Sequence, residues 1–403
     1  MIKNDFIAKI EGHGNLNINW SERKVQLNVL EGERLFEGML VGRTAEEMHW
    51  ITPRICGVCP TAHNLAALNA LENALGIKPN QTTILLRDLM MAGQMIQSHA
   101  LHLFFLSLPD YLGIDRGTEL AKKNPSLFKD ALSLKDFSDQ IVKLVAGRIV
   151  HPTTSTIGGF HKIPTKQDLE KILEKLEQTE RAAFRVVELV SNLDYPELKV
   201  DLELVVQVDN SVVSVSSINI KGRKQSSIVN YKSDIEEEVK NYSTAKFAKY
   251  KGEVMLVGSL ARLAVSGYSD QKYRLDFANP FHNNFAQGIE ILYYHQRASN
   301  IVRRLLKTEL DSRIVKPSKN PPLFGIGTVE APRGGLYHEV HLDKDGIIKQ
   351  ANIITPTVQN LSSIEKSAQA LLNQNKNLSQ KELERLLVML VRAYDPCLTC
   401  SVH

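Results

Sequence analysis

The chain has 403 residues, of which 43% are hydrophobic and 23% charged, an ordinary balance for a folded globular protein that excludes disorder, collagen and a coiled-coil rod. Its 49 Lys and Arg against 45 Asp and Glu leave a formal charge of +4, and no long basic run points to nucleic acid or an anionic membrane. The apolar stretch Ala100–Leu108, interrupted by His102, falls far short of the roughly 20 residues of a membrane span, and the opening Ile2-Lys3-Asn4-Asp5 is not expected to be a secretory leader.

Taken in chain order, Leu16–Trp20 and Val25–Val29 alternate apolar and polar residues and predict two strands, with Ser21-Glu22-Arg23-Lys24 as the turn. From about 33 to 195 the pattern is mostly helical. His63–Leu75 has helical spacing and ends at Gly76, with Pro79 beyond. Thr83–Leu108 predicts one long helix stopped by Pro109, and Asp168–Leu193 another with Glu and Lys pairs on a solvated face. Leu202–Val208 and Ser211–Ile220 carry strand signals. Asn283–Leu310 reads as a long helix and 325–358 as strands, with turns at Arg333-Gly334-Gly335 and Asp343–Gly346. Helices at about 361–374 and 380–394 complete the chain. The expected fold class is α+β and predominantly helical, a long-helix core with small sheets. No repeat, low-complexity run or linker divides it, so residues 1–403 are expected to form one integrated domain.

Four cysteines exclude a disulfide scaffold, and their placement is the most informative feature of the chain. Cys56-Gly57-Val58-Cys59 is followed by His63, and Cys397-Leu398-Thr399-Cys400 by His403. Two residues between thiolates let both sulfurs address one ion from a turn. Unrelated buried cysteines would not come as two matched pairs, and a thioredoxin-like redox motif leaves one pair unexplained. A tetrahedral zinc site and a four-thiolate iron–sulfur cluster stay open, although nearly the whole chain separates the pairs, a poor arrangement for a small zinc module. The favoured reading is a thiolate-rich transition-metal centre, whose soft ligands suit nickel, copper or zinc.

These motifs resemble the two signatures of the large subunit of nickel–iron hydrogenases: Arg54-Ile55-Cys56-Gly57-Val58-Cys59 with His63, and Asp395-Pro396-Cys397-Leu398-Thr399-Cys400 with His403. Ile10-Glu11-Gly12-His13, Phe36-Glu37, Gly42-Arg43, Ala331-Pro332-Arg333-Gly334 and Thr355-Pro356-Thr357 fit in order. Ser98–Leu103 and Val391–Tyr394 look most like the cytoplasmic NAD(P)-linked and sulfhydrogenase-type branch, which implies a cytoplasmic location.

The resemblance implies reversible heterolytic cleavage of H2 at a Ni–Fe centre. Cys56 and Cys397 would be terminal ligands of nickel. Cys59 and Cys400 would bridge it to an iron carrying CO and CN ligands. Cys397 would also take the proton. Glu11, alone an ordinary surface carboxylate, becomes the first proton relay. Arg333, alone a turn residue, becomes a fixed cation at the open metal position, contacting one cyanide together with the backbone around Ala331 and Pro332. Thr357 would hydrogen-bond the other cyanide. Asp395, otherwise a residue turning the chain before Pro396, would lie near Arg333, and His63 would support a bridging thiolate. Glu37, His403 and a carbonyl near Ile353 would hold Mg2+ or a similar ion, where the plainer alternative for Glu37 is a salt bridge to Arg43.

His99 and His102, three residues apart, suit packing or support of the site better than metal binding. Ser98 stands where membrane-bound uptake members carry an Asp, so the charges around Arg333 differ from theirs. No cysteine is left for an electron wire, which requires an iron–sulfur small subunit and implies further electron-transfer subunits. A hydrogen-sensing subunit and a structural zinc-binding relative are the alternatives.

Overall fold

The computed structural model describes residues 6–402. β1 (Gly14–Asn19) and β2 (Lys24–Val29) pair antiparallel, and their alternation buries Val25, Leu27 and Val29. Helices α1 (Phe36–Leu40) and α2 (Ala45–Ile51) follow, the second opened by a capping box between Thr44 and Glu47. A 3-10 turn, Thr52–Ile55, then leads to Cys56. α3 (Pro60–Leu75) starts on Pro60, whose missing N–H costs nothing there, and ends at Gly76 with φ 64°.

α4 (Gln81–Leu101) does not run on to Pro109 as expected. A π-helical turn, His102–Ser107, follows it, and α5 (Leu108–Leu112) carries Pro109 in its own first turn. The Leu108 N–H bonds the Leu103 carbonyl, five residues back, so the chain widens before the proline instead of stopping at it. α6 (Leu120–Lys123), α7 (Pro125–Ala146), the two-residue strands β3 (Ser155–Thr156) and β4 (Gly159–Phe160), and α8 (Lys166–Ser191) come next.

β5 (Glu203–Val208) and β6 (Ser211–Ser216) match the strand signals, but the stretch read as Ser211–Ile220 turns at Ser217-Ile218. It continues as β7 (Asn219–Ser227), an exposed polar edge strand with no apolar alternation to reveal it. α9 (Tyr231–Asp234), β8 (Ile235–Glu238), β9 (Phe247–Tyr250), β10 (Met255–Leu256), α10 (Ser259–Ser266) and α11 (Asn283–Lys307) complete this half. β10 lies parallel to β5 in a sheet of order β10-β5-β6-β7. α4, α7, α8 and α11 pack around one apolar core that includes Leu89, Phe137, Val186 and Ile291.

β11 (Phe324–Ala331), β12 (Gly334–Leu342) and β13 (Ile348–Ile354) form an antiparallel meander. Ala331 pairs with Gly334, so Pro332 and Arg333 alone make the turn. α12 (Pro356–Gln374) starts at its proline rather than near 361, and α13 (Gln380–Ala393) leads to a final 3-10 turn, Thr399–Val402. The predominantly helical α+β architecture with small sheets is the one expected.

β11 lies directly on α3. A Cβ on Gly327 would stand 2.1 Å from both the Ala66 carbonyl oxygen and the Ala70 nitrogen, so only glycine fits. This approach, the β11–β12 turn, the start of α12 and the C-terminal turn converge on one point. Among the described residues, no helix is long and apolar enough to cross a membrane.

Candidate metal centre

All four cysteines are buried and outside any disulfide, and they meet at that point. The Sγ atoms of Cys56 and Cys397 are 3.5 Å apart, those of Cys59 and Cys400 3.9 Å, and those of Cys397 and Cys400 2.7 Å. The backbone aims them. The N–H groups of Val58 and Cys59 donate to Cys56 Sγ at 3.3 and 3.2 Å, and Cys59 caps the N-terminus of α3. The Cys397 N–H donates to Thr357 Oγ1 at 3.0 Å. Cys56 and Cys397 sit below the ordinary thiol value: burial works against this, and hydrogen bonds from neighbouring thiols overcome it. Cys59 and Cys400 are pushed above it, Cys59 first by its hydrogen bond to Cys397 and Cys400 first by burial. Four sulfurs this close carry full negative charge only around a cation.

Glu11 reaches this cluster from the N-terminal segment, which bridges in parallel to Cys397, with the Leu398 N–H donating to the Glu11 carbonyl at 2.9 Å. Gly12 allows that approach: it has φ 85°, and a Cβ there would stand 2.9 Å from Leu398 Cβ and the Thr399 nitrogen. Cys397 Sγ donates to Glu11 Oε2 at 2.9 Å, and the Thr399 hydroxyl lies against both carboxylate oxygens at 2.5 and 2.6 Å. Burial first, then the charge of Cys397, push the Glu11 carboxyl up to about 7.

A pocket beside the sulfurs is walled by Cys59, Cys397, Cys400, His63, Ala331, Pro332, Arg333 and Thr357, all given a role in the sequence, by Pro356, named there only within the segment Thr355-Pro356-Thr357, and by Leu336, which the sequence did not suggest. Arg333 Nη2 donates to Asp395 Oδ1 at 2.7 Å and its Nε to the Asp395 carbonyl at 2.5 Å. Its Nη1 is buried and has no partner among the described residues. Asp395 has φ 51°, a left-handed conformation that Asp tolerates better than most residues. Gln287 Nε2 donates to its Oδ2 at 3.2 Å. Behind Gln287, His102 Nδ1 lies 2.5 Å from Oε1 and His102 Nε2 2.8 Å from the Arg392 carbonyl. His99 bonds Glu290 at 2.9 Å, so both histidines serve as supports. Ser98 is buried, and its hydroxyl has no partner among the described residues. His63 Nδ1 is 3.3 Å from His338 Nε2, a partner the sequence did not suggest.

Glu37 lies apart from this pocket. Its Oε1 accepts from the Ile353 N–H at 2.6 Å, whereas Arg43, its alternative partner, pairs with Glu47 at 3.3 Å. His403 lies outside the described residues. Arg34 was also missed. Its Nη2 donates to the Ile55 carbonyl at 2.8 Å and to the Thr399 carbonyl, tying the two cysteine loops together. No motif marks it, because it acts through backbone carbonyls far away in sequence.

The donor set suits a two-metal thiolate centre. It offers four convergent sulfurs, a buried guanidinium nitrogen still to be paired, and a hydroxyl on Thr357 whose proton is free to donate once its oxygen has accepted from Cys397. Comparison with known proteins points the same way. The nickel-dependent hydrogenase family matches residues 34–135 and 207–403. The chain is 35% identical to sulfhydrogenase 1 subunit alpha of Pyrococcus furiosus, over 99% of this chain and 97% of that protein. It is 32% identical to sulfhydrogenase 2 subunit alpha of the same organism, over 100% and 99%. In fold it is similar to an NAD+-reducing [NiFe]-hydrogenase in the H2-reduced state, with TM-score 0.87 and 24% identity over 99% of this chain and 98% of that one. A Ni-Fe-Se hydrogenase from D. vulgaris Hildenborough gives TM-score 0.79, again at 24% identity over 99% and 98%.

Proposed function

The chain belongs to the nickel-dependent hydrogenase family, and from that membership we propose how its side chains serve the catalytic large subunit of a nickel–iron hydrogenase, which cleaves H2 reversibly into two protons and two electrons. Cys56 and Cys397 would hold nickel as terminal ligands, and Cys59 and Cys400 would bridge it to an iron carrying CO and CN ligands. The observation that carries this assignment is the convergence of four buried thiols from the two ends of the chain. When bound, the centre polarises H2 and accepts its electrons.

The chain's own residues handle the protons and the electrostatics. Cys397 Sγ takes a proton and passes it to Glu11 Oε2, 2.9 Å away. The Thr399 hydroxyl fixes that carboxylate, and a carboxyl raised to about 7 releases its proton near neutral pH. Arg333, held by Asp395, keeps Nη1 buried and unpaired among the described residues, where it would donate to one cyanide of the bound group and supply a fixed positive charge to the reacting site. Thr357, whose oxygen accepts from the Cys397 N–H, would offer its hydroxyl proton to the other. Pro332, Leu336 and Pro356 line the pocket with apolar surface and exclude water. Glu37, the Ile353 carbonyl and His403 would hold magnesium or a similar ion, and the bond from the Ile353 N–H to Glu37, which brings two of these groups together, supports that reading.

Electrons leave through an iron–sulfur small subunit. Relatives named as subunits alpha and A support assembly with other chains. Further subunits would pass the electrons to NAD(P) or another acceptor in the cytoplasm.

Metal analysis of the purified complex, with infrared spectroscopy in the carbonyl and cyanide region, tests the assignment. Stoichiometric nickel and iron with carbonyl and cyanide bands are expected. Zinc alone with a silent infrared window would overturn it.

A further inference from the structure

Arg333 is held at two ends, and only one of them is in the pocket. Asp395 takes its guanidinium, while the backbone leading into it is held from behind by a second arginine. Arg262, on α10, is 9% exposed at its side chain. Its Nε and Nη2 form a fork on Glu290 at 2.6 and 2.7 Å. Its Nη1 reaches Glu330 Oε2 at 2.9 Å. The remaining N–H groups go to the carbonyls of Ala331 and Pro332, each at 2.9 Å. A longer contact of 3.3 Å joins Nη2 to Ser259 Oγ. All five donors of the guanidinium thus have a close acceptor.

The two carbonyls belong to the peptide planes immediately before Arg333. They are the last strand residue of β11 and the first of the two turn residues. Pro332 has no N–H, so its own nitrogen cannot anchor that turn by a hydrogen bond. Glu290, which orients Arg262, lies on α11 and bonds His99 of α4 at 2.9 Å. The chain of contacts therefore refers the turn to the helical core, while Asp395 refers the guanidinium to the C-terminal segment.

A plain buried ion pair would be complete with Glu290 alone. The bonds to two successive carbonyls are the additional feature, and they need a planar fork with donors on both sides, which a lysine ammonium lacks. We propose that Arg262 is the positioning residue for Arg333, setting the turn so that the Arg333 guanidinium faces the metal centre. Arg262 touches no reacting atom. This role rests on the hydrogenase reading above.

The test compares the whole complex carrying Arg262→Lys with wild type and with Arg297→Ala, an exposed arginine of α11 paired with Asp88. Nickel content, kcat, KM for H2 and the cyanide infrared bands are measured. Arg262→Lys is expected to load nickel as wild type does and to keep KM. Its kcat should fall roughly 10²-fold, the cost of a misplaced reacting geometry, and its cyanide bands should shift. Arg297→Ala should change none of these. Wild-type kcat and unshifted bands in Arg262→Lys, even with a lowered melting temperature, would reduce Arg262 to a structural ion pair and overturn the proposal. If Arg262→Lys does not fold, Glu290→Gln, which breaks the fork and keeps the arginine, replaces it: shifted bands at wild-type nickel content support the role and unshifted bands overturn it. A wild-type complex without nickel or infrared bands overturns the functional reading itself.

Discussion

Glu11 and Cys397 come from opposite ends of the chain, and 2.9 Å separates the carboxylate oxygen from the sulfur. A carboxyl ionising near 7 in that position serves proton transfer better than one at its ordinary value, since it both takes and releases a proton at neutral pH. Glu11→Gln keeps the hydrogen-bonding shape and removes the exchangeable acid. H2 oxidation should fall by roughly 10²–10⁴-fold at unchanged nickel content, as measured by dye-linked turnover of the complex. Turnover within a fewfold of wild type would remove Glu11 from the proton path. At this scale the sequence is informative where a residue sits in a short motif, as the cysteines, Glu11, Arg333 and Asp395 do. It is silent where a residue acts through distant backbone. Arg34 bonds carbonyls next to Cys56 and Cys400, and Arg262 bonds carbonyls next to Arg333. No local pattern records such partners.

Among the elements, α3 and β11 decide where the pocket lies. Small residues on both sides, Ala66 and Ala70 facing Gly325 and Gly327, let strand and helix backbones touch, and this sets the turn with Arg333 against the start of α3 with Cys59. Gly327→Ala would put a methyl group 2.1 Å from helix backbone, where no flexible side chain can yield. Overpacking of this kind costs about 1–3 kcal/mol or more, so the variant should melt lower and carry less nickel, as scanning calorimetry and metal analysis would record. Unchanged melting and nickel loading would mean that the contact does not position the pocket. Periodicity revealed α3, α8 and α11 because each keeps helical spacing over several turns, and Gly76 also marked the end of α3. It misread Thr83–Leu108, where a π turn absorbs Pro109, and it missed β7, whose polar edge has no buried face to generate alternation.

Over the whole molecule, the centre joins the two ends of the chain. Glu11 pairs with Cys397 in the strand sense, Arg34 clamps both cysteine loops, and the thiols of residues 56 and 59 meet those of 397 and 400. The integrated domain inferred from the sequence follows the same logic, since no cut between residues 63 and 395 leaves a complete site in either part. A site assembled this way acts on H2 itself, before any partner subunit accepts electrons, so its chemistry is measurable without an electron acceptor. The most direct measurement is isotope exchange: HD formation by the purified complex under D2 in ordinary water, for wild type and for Cys397→Ser. HD is expected from the wild type and none from the variant. No HD from a nickel-loaded wild type, or undiminished exchange in Cys397→Ser, would contradict the hydrogenase reading.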